Sequence, residues 1–294
     1  MILKKRIGNF TVVALPIKMK LWKPREQFLP KICEKLKKYV NTGDFVVFSE
    51  KALSVALGNI YDENKLKVSW LSKAIGFIVM NIMWGYFLGK ISKLKDETLK
   101  WIRKAPLSEI AAHKQLSLKV GGILQMLKPS SEAGIDTSNL PYSYVSLPLT
   151  KCSLVHKLRK GLEKCLGKKI SVIIVDSDRT YVHRRLDIAL ASRSTCVKGL
   201  RNYGVVSYIV GRAFRTAFYP RATPIMYSGV KINLRLLLEI SELADKVRGY
   251  GAGRTVFEMA ERFHTNIEGI TWDMLSSIPH YPVVIVKFIR RKLS

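Results

Sequence analysis

A turn at residues 133–139 brings a carboxylate together with hydroxyl and amide side chains. Its sequence is Ala-Gly-Ile-Asp-Thr-Ser-Asn. Gly134 lets the backbone turn, and Asp136, Ser138 and Asn139 are residue types whose short side chains bond local backbone groups in turns. A polar surface turn without function has the same composition, so this stretch alone does not establish a site.

A second carboxylate follows the apolar run at residues 172–175. These four residues are β-branched and predict a buried strand that stops at Asp176. The carboxylate would then lie at the carboxyl end of a strand, which is where mixed α/β proteins bind ligands. An ordinary polar turn is again the alternative.

Together the two turns offer oxygen ligands for a hard divalent cation. Asp136 and Asp176 would supply carboxylates and Ser177 a hydroxyl, a donor set that suits Mg²⁺ or Mn²⁺. Such a cation bridges nucleotide phosphates and offsets charge during phosphoryl transfer. The five histidines lack ligand spacing and no Gly-x-Ser-x-Gly motif occurs, so nucleophilic catalysis is not indicated.

A phosphate contact is indicated at Lys51. Residues 45–48 predict a buried strand that leads through Ser49 into a helix of small residues. The beginning of a helix favours anions, and Lys51 lies in its first turn. No glycine-rich loop accompanies this pattern, so a capped helix with a solvated lysine remains the alternative.

The net charge of +28, from 50 Lys and Arg against 22 Asp and Glu, favours an anionic partner. Nucleotides, nucleic acids and anionic membrane surfaces all satisfy it. The basic residues are spread along the chain, and no nucleic-acid-binding motif appears. A non-catalytic protein that binds nucleic acid through its basic surface is therefore the second hypothesis.

The four cysteines, Cys33, Cys152, Cys165 and Cys196, form no CxxC pair. Their spacing predicts neither a zinc site nor a disulfide framework, which favours a reducing compartment. The basic N-terminus is not followed by the apolar stretch of an export signal. A cytoplasmic location is therefore expected.

Residues 74–89 form the most apolar part of the sequence, between Lys73 and Lys90. As a helix this segment would span about 24 Å, less than the roughly 30 Å hydrocarbon core of a membrane. Asn81 weakens a membrane span further. We predict a buried or dimer-interface helix and no membrane partner, with a membrane anchor as the weaker alternative.

The chain is long enough for one large or two ordinary domains. A long helix predicted at about 233–247 ends in a glycine-rich loop at 249–253, which is the best candidate boundary. Residues 1–249 would form a nucleotide- and metal-binding domain. Residues 250–294 would add a C-terminal helix and strand packed on it.

The sequence resembles the coenzyme F420-0:gamma-glutamyl ligase family over roughly its first two thirds. The run at 133–139 is the most specific part of the resemblance. The other matching stretches are residues 14–17, 43–51 with Gly58 after them, 172–179 and 187–189.

The resemblance implies an α+β fold with mixed sheets, flanking helices and an intertwined homodimer. It implies a GTP-dependent ligase, in which GTP phosphorylates a terminal carboxylate of a deazaflavin precursor and the amine of L-glutamate attacks the acyl phosphate. Mn²⁺ or Mg²⁺ would assist, with K⁺ as a further candidate ion. The partners would be a nucleotide, L-glutamate and an anionic acceptor.

By matching position, the resemblance also implies roles for individual residues. The catalytic residues would be Asp136, Asp176 and Arg179. The metal ligands would be Asp136, Asp176 and Ser177, with Glu239 as a third acid chosen from the helix it shares with Glu242. The nucleotide pocket would consist of Leu15, Pro16, Ile17, Lys18, Ser49, Glu50, Lys51 and Asn139.

Two stretches depart from the family pattern. After Asp176 the family continues Thr-Phe-Gly-Arg-Pro-Trp-Arg, whereas residues 177–184 are one residue shorter and lack the Gly, Pro and Trp. Residues 198–203 replace an Arg-Gly-containing stretch. The metal site is therefore expected to persist beside an altered substrate pocket, in a divergent member of the family.

Overall fold

The computed structural model describes residues 2–104, 106–130 and 132–290. Its ten strands within these ranges are β1 (Leu3–Ile7), β2 (Phe10–Met19), β3 (Phe45–Ser49), β4 (Ile60–Asp62), β5 (Tyr144–Ser146), β6 (Ser171–His183), β7 (Ala189–Ala191), β8 (Leu200–Asn202), β9 (Phe218–Ser228) and β10 (His280–Arg290).

The helices of the same ranges are α1 (Phe28–Lys37), α2 (Glu50–Ala56), α3 (Trp70–Gly76), α4 (Gly89–Ile91), α5 (Asp96–Lys104), α6 (Leu107–Gly121), α7 (Ile123–Met126), α8 (Ser153–Leu166), α9 (Val205–Ala213), α10 (Leu234–Arg248), α11 (Val256–Arg262) and α12 (Trp272–Ser276). A π-helix, Phe77–Leu88, joins α3 to α4, and short 3-10 helices lie at Glu63–Lys65 and Ile267–Gly269.

Eight strands form one mixed sheet in the order β1-β2-β10-β3-β6-β7-β8, and β9 pairs with β6 outside that path. The β3–β6 and β7–β8 pairs are parallel and the others antiparallel. Strands β4 and β5 form a small second sheet. The predicted α+β class with mixed sheets and flanking helices is confirmed.

The main sheet is covered on both faces, because its central strands bury alternate residues on opposite sides. Val46 and Phe48 of β3 pack with helices α1 and α8, whereas Phe45 and Val47 pack with α10. The amphipathic patterns of these helices supply the apolar stripes. The resulting three layers fix the ends of β3 and β6, where the candidate site lies.

The segment Trp70–Ile91 is only partly buried: Val79, Met80 and Trp84 pack in a core cluster, and much of the rest is exposed. Its exposed face carries nine large apolar side chains, with Trp70 at 79% and Phe87 at 64% relative exposure. Among the described residues it is the one helical segment long and apolar enough to cross a membrane by length and composition, and 33% of its most apolar window is buried. The prediction of a buried helix thus holds for part of the segment only, and the dimer-interface interpretation stays a prediction.

All four cysteines are paired, which corrects the expectation of no disulfide framework. Cys33 of α1 bonds Cys165 of α8, and Cys152 bonds Cys196. The partners are 132 and 44 residues apart in sequence, so only the packing of α1 against α8 and of the 196 loop against β9 brings them together. A cytoplasmic location loses this support and stays a prediction.

The last strand, β10, lies inside the main sheet. It pairs antiparallel with β2 on one side and with β3 on the other, and Val283–Val286 are fully buried. The proposed division near residue 249 stays a prediction. The strand after that boundary contributes to the same sheet as the strands before it.

Candidate functional site

A cavity of about 1420 Å³ opens beside the carboxyl ends of β3 and the first half of β6. The loops at 133–139 and 249–253 and the helix α6 form much of its wall. Nine carboxylates and six Lys or Arg residues line it, although Lys and Arg outnumber Asp and Glu by 50 to 22 in the chain. The cavity is thus locally acidic in a strongly basic protein.

The 133–139 turn presents Asp136 to Lys51 across the cavity wall. The Nζ of Lys51 lies 2.6 Å from Oδ2 of Asp136 and also donates to Oγ of Ser138. The other carboxylate oxygen, Oδ1, accepts hydrogen bonds from N and Oγ of Ser138, at 2.9 and 3.0 Å. Two antiparallel backbone hydrogen bonds with Ser146 hold the turn in place.

Asn139 fastens the glycine-rich loop to the same turn. Its Nδ2 donates to the carbonyls of Tyr250 and Gly253, at 3.1 and 3.0 Å, and its Oδ1 accepts from Ala252 N at 2.7 Å. The amide group therefore already serves three backbone partners. Asn139 lines the cavity, but its observed role is to position the 249–253 loop around it.

Strand β6 does not stop at Asp176 as predicted but continues to His183. Opposite β9 the register shifts between Asp176 and Arg179, so Ser177 and Asp178 are extra residues in the strand. Such irregularities redirect side chains and are common beside active sites. This one turns residues 176–179 toward the cavity without ending the strand.

Beneath the cavity floor, the buried guanidinium of Arg193 bridges Glu50 and Asp176. Its Nη2 donates to Oε1 of Glu50 at 3.0 Å, and its Nη1 donates to Oε2 of Glu50 and Oδ2 of Asp176. The side chains of Arg193 and Glu50 are 2% and 4% exposed, which makes this a core ion pair. Oε1 of Glu50 also accepts a hydrogen bond from the backbone N–H of Leu149, at 2.8 Å.

Burial and Arg193 act in opposite directions on the two carboxyls. Burial raises the pKa of Glu50 to about 7, because Arg193 offsets it only in part and the neighbouring Asp176 adds to it. Burial also acts to raise the pKa of Asp176, but Arg193, Lys51 and Arg248 together lower it below its ordinary value. Asp176 is therefore ionised at neutral pH.

A second set of ion pairs comes from α10. Oγ of Ser177 donates to Asp245 at 2.7 Å and accepts from Nη2 of Arg248 at 2.9 Å, while Arg248 also pairs with Asp245. Arg179 donates to Glu242 at 3.0 Å. The helix thus orients Ser177, Arg179 and Arg248 at the cavity.

The far wall carries His113 between two carboxylates. Its Nδ1 lies 2.9 Å from Oε1 of Glu63 and its Nε2 lies 3.3 Å from Oε2 of Glu132, which also pairs with Lys114 at 2.6 Å. Burial acts to lower the pKa of His113, but Glu132 and Glu63 outweigh it and raise the pKa to about 10. His113 is therefore a cation at neutral pH.

Comparison with known proteins identifies the chain's relatives. The family model described as F420-0:Gamma-glutamyl ligase matches residues 16–216. The chain belongs to the F420-0:gamma-glutamyl ligase family. It is also similar to an uncharacterized protein of Methanocaldococcus jannaschii, at 32% identity over 93% of this chain and 96% of that protein. The family is one of ligases, so membership supports an enzyme.

The structure places some of the residues that the family pattern assigns to the nucleotide in the cavity and others outside it. Of the predicted nucleotide residues, Ser49, Lys51 and Asn139 line the cavity, and Glu50 lies below its floor. Leu15–Ile17 lie instead within β2, paired with β10, and Lys18 is exposed on the same strand. Leu21 and Trp22, a few residues later, line the cavity in their place.

Glu239, the predicted third metal ligand, does not reach the cavity. It pairs with Lys5 and with Arg221, whose Nε donates to it at 2.7 Å. The carboxylates of α10 that reach the residues of the site are Glu242 and Asp245, on the next turns of the helix. Glu242 pairs with Arg179, and Asp245 accepts a hydrogen bond from Ser177.

The ligands that the F420-0:gamma-glutamyl ligase pattern assigns do not fit a divalent metal here. Asp136 is paired with Lys51 and Asp176 with Arg193. Among the described residues there is no group of three or more His, Cys, Asp and Glu side chains that could hold a metal ion. Glu239 is therefore not part of a common ligand set with Asp136 and Asp176, and the use of Mn²⁺ or Mg²⁺ stays a prediction.

The stability that His113 contributes is expected to depend on pH. Its folded-state pKa of about 10 lies above its ordinary 6.5, so the contribution is complete below pH 6.5 and is lost as the pH rises toward 10. His113→Gln should therefore lower the free energy of unfolding by about 2 kcal/mol more at pH 6 than at pH 10. Denaturant unfolding at both pH values measures this difference.

The control for this experiment is His264→Gln, at an exposed histidine outside the cavity. Its effect on the free energy of unfolding should be small and alike at both pH values. An equal loss at pH 6 and pH 10 for the His113 variant would contradict the ion-pair assignment.

Proposed function

We propose that this protein is a GTP-dependent ligase that joins L-glutamate to a carboxylate of a phosphate-bearing acceptor, coenzyme F420-0 or a related molecule. In the first step an acceptor carboxylate oxygen attacks the γ-phosphorus, and GDP leaves. In the second, the amine of L-glutamate attacks the acyl carbon, and phosphate leaves as the amide forms.

One observation carries this proposal: Lys51, Asp136 and Asp176 meet at one cavity although they come from three distant parts of the chain. Asp136 comes from the most specific stretch of the family resemblance, and Lys51 and Asp176 come from two of the other matching stretches. The volume of about 1420 Å³ exceeds the roughly 300–1,000 Å³ of a pocket for one small ligand, so a nucleotide and an acceptor fit together.

The charges on the cavity wall suit both kinds of substrate. Lys51, Arg179, Arg248 and Arg254 line it and offset phosphate charge. Nine carboxylates also line the cavity, more than its six Lys and Arg residues, and this excess favours the ammonium group of an amino acid over a second anion. A wall of mixed charge also disfavours a polyanion such as nucleic acid in the cavity.

The test is a reconstituted reaction with purified protein, GTP, L-glutamate and a deazaflavin acceptor. GDP, phosphate and the glutamylated product, measured by chromatography and mass spectrometry, should form in equal amounts and only with all three substrates. The reaction is run with Mg²⁺, Mn²⁺ or chelator, and with and without K⁺. The absence of GTP binding by calorimetry in every condition would overturn the proposal, and nucleic-acid binding that weakens with salt would then favour the second hypothesis.

Homodimer formation is a separate proposal. The exposed apolar face of Trp70–Ile91 is the candidate interface, because contiguous apolar surface of this extent usually marks an interaction site. Analytical ultracentrifugation of the purified chain without detergent tests it. A monomer at micromolar concentration would contradict it.

A further inference from the structure

The guanidinium of Arg193 is buried and is surrounded by Glu50, Asp176 and Gly134. The residue follows β7, is 2% exposed, and contacts both oxygens of Glu50 and one oxygen of Asp176. Arginine does not lose its proton in proteins, so this positive charge is permanent. Asp176, which lines the cavity, is therefore always paired from below.

Gly134 of the 133–139 turn leaves the space that the guanidinium fills. A Cβ at this position would lie 2.0 Å from Cζ of Arg193 and 2.2 and 2.3 Å from its two terminal nitrogens. Any larger residue would overlap the guanidinium. The family's most specific motif is thus fitted, in this chain, to an arginine rather than to open space.

Lys51 forms the corresponding ion pair with the other carboxylate, that of Asp136. Its ammonium group lies 2.6 Å from Asp136 and bonds Ser138, and its side chain is 21% exposed at the cavity. Each carboxylate that the family pattern assigns to metal therefore has a cation of the chain beside it. Of these two cations, Lys51 lines the cavity and Arg193 does not.

A divalent cation would meet strong opposition in this arrangement. A cation bound to Asp176 would lie close to the buried guanidinium of Arg193, which contacts one oxygen of that carboxylate, and like charges repel at short range. Displacing Arg193 would leave Glu50 buried without its partner, and no other carboxylate group of the described residues completes a metal site.

We propose that Arg193 and Lys51 replace the divalent cation, so that the cavity binds phosphate groups through cations of the protein, Lys51, Arg248 and Arg254, without metal. The identity of the phosphate compound, GTP, rests on the proposed function. The replacement of the metal by Arg193 and Lys51 does not rest on that function. It predicts a nucleotide site that a chelator does not disable.

The first experiment needs no nucleotide and compares metal binding by wild type and variants. Wild-type protein titrated with Mn²⁺ to about 100 micromolar should show no bound Mn²⁺ by electron paramagnetic resonance and no rise in its thermal midpoint. Arg193→Ala frees Glu50 and Asp176 in one space and should gain Mn²⁺ binding, seen as a rise of several degrees in the midpoint on adding the metal.

Two further variants serve as controls. Arg193→Lys keeps a cation and should not gain Mn²⁺ binding. Arg221→Ala removes an arginine that pairs with a single carboxylate, Glu239, and should not gain it either. Stoichiometric Mn²⁺ binding by the wild type would overturn the proposal, and this measurement decides it even where Arg193→Ala does not fold.

The second experiment measures phosphate binding with inorganic tripolyphosphate and with GTP, each with chelator and with Mg²⁺. The dissociation constants should agree within about threefold, and Lys51→Gln should weaken both. Binding that is more than tenfold weaker in chelator would overturn the proposal. Failure of GTP to bind under any condition, with tripolyphosphate still bound in chelator, would overturn the proposed function and support the metal-free phosphate site.

Discussion

Gly134→Ala is expected to lower the free energy of unfolding by about 4 kcal/mol, one of the largest effects of any single methyl group in this chain. The backbone at Gly134 has φ of +79°, which strains any residue with a Cβ, and the added carbon would lie 2.0 Å from Arg193. A flexible arginine would move aside at little cost. This one is buried and paired with Glu50 and Asp176, so moving it breaks a core ion pair.

A matched glycine separates the clash from the backbone strain. Gly167 ends α8 with φ of +67° and has no atom within 4 Å of a Cβ built on it. Gly167→Ala should therefore lower the free energy of unfolding by only about 1 to 2 kcal/mol. Denaturant unfolding measures both variants. Equal losses in the two variants would show that Arg193 does not occupy the position described.

Lys51→Met should reduce kcat/KM of the proposed ligase reaction by about 10²-fold or more, which is typical for loss of one well-placed charge donor. Lys51 is the cation of the chain that both touches Asp136 and faces the cavity. Its removal takes away a phosphate contact. It also leaves Asp136 as an unpaired negative charge beside the substrate, which adds repulsion.

Lys18→Met provides the control, because Lys18 is exposed on β2 and lies outside the cavity although the family pattern placed it at the nucleotide. It should retain the wild-type rate and GTP affinity. Circular dichroism checks that both variants are folded. A Lys51 variant with the affinity and rate of the wild type would remove the central evidence for the site.

The parts of the site that could be predicted from the sequence are those set by local chemistry. The turn at 133–139 follows from Gly134 and its Asx-type neighbours, and the strand before Asp176 from its β-branched run. Lys51 was predictable because the strand and the helix that position it are adjacent in the chain. Local patterns predicted these elements one by one, and the resemblance to the family indicated that they share a location.

The residues that were missed depend on contacts between distant parts of the chain. Arg193 pairs with Glu50 across 143 residues, and the two disulfides close 132 and 44 residues. The choice among Glu239, Glu242 and Asp245 depends on which face of α10 packs on the sheet. No spacing in the sequence determines these relationships, and neither does a family pattern from which this chain departs.

The interior position of β10 affects how the chain folds as it is synthesised. Strands β2 and β3 are complete once the first 50 residues exist, yet the strand that joins them is formed by residues 280–290. Until residues 280–290 have been synthesised, β2 and β3 each keep one edge unpaired. Contacts of such long sequence separation slow folding and expose edges to other chains, so this protein has a long period of vulnerability to aggregation before its sheet closes.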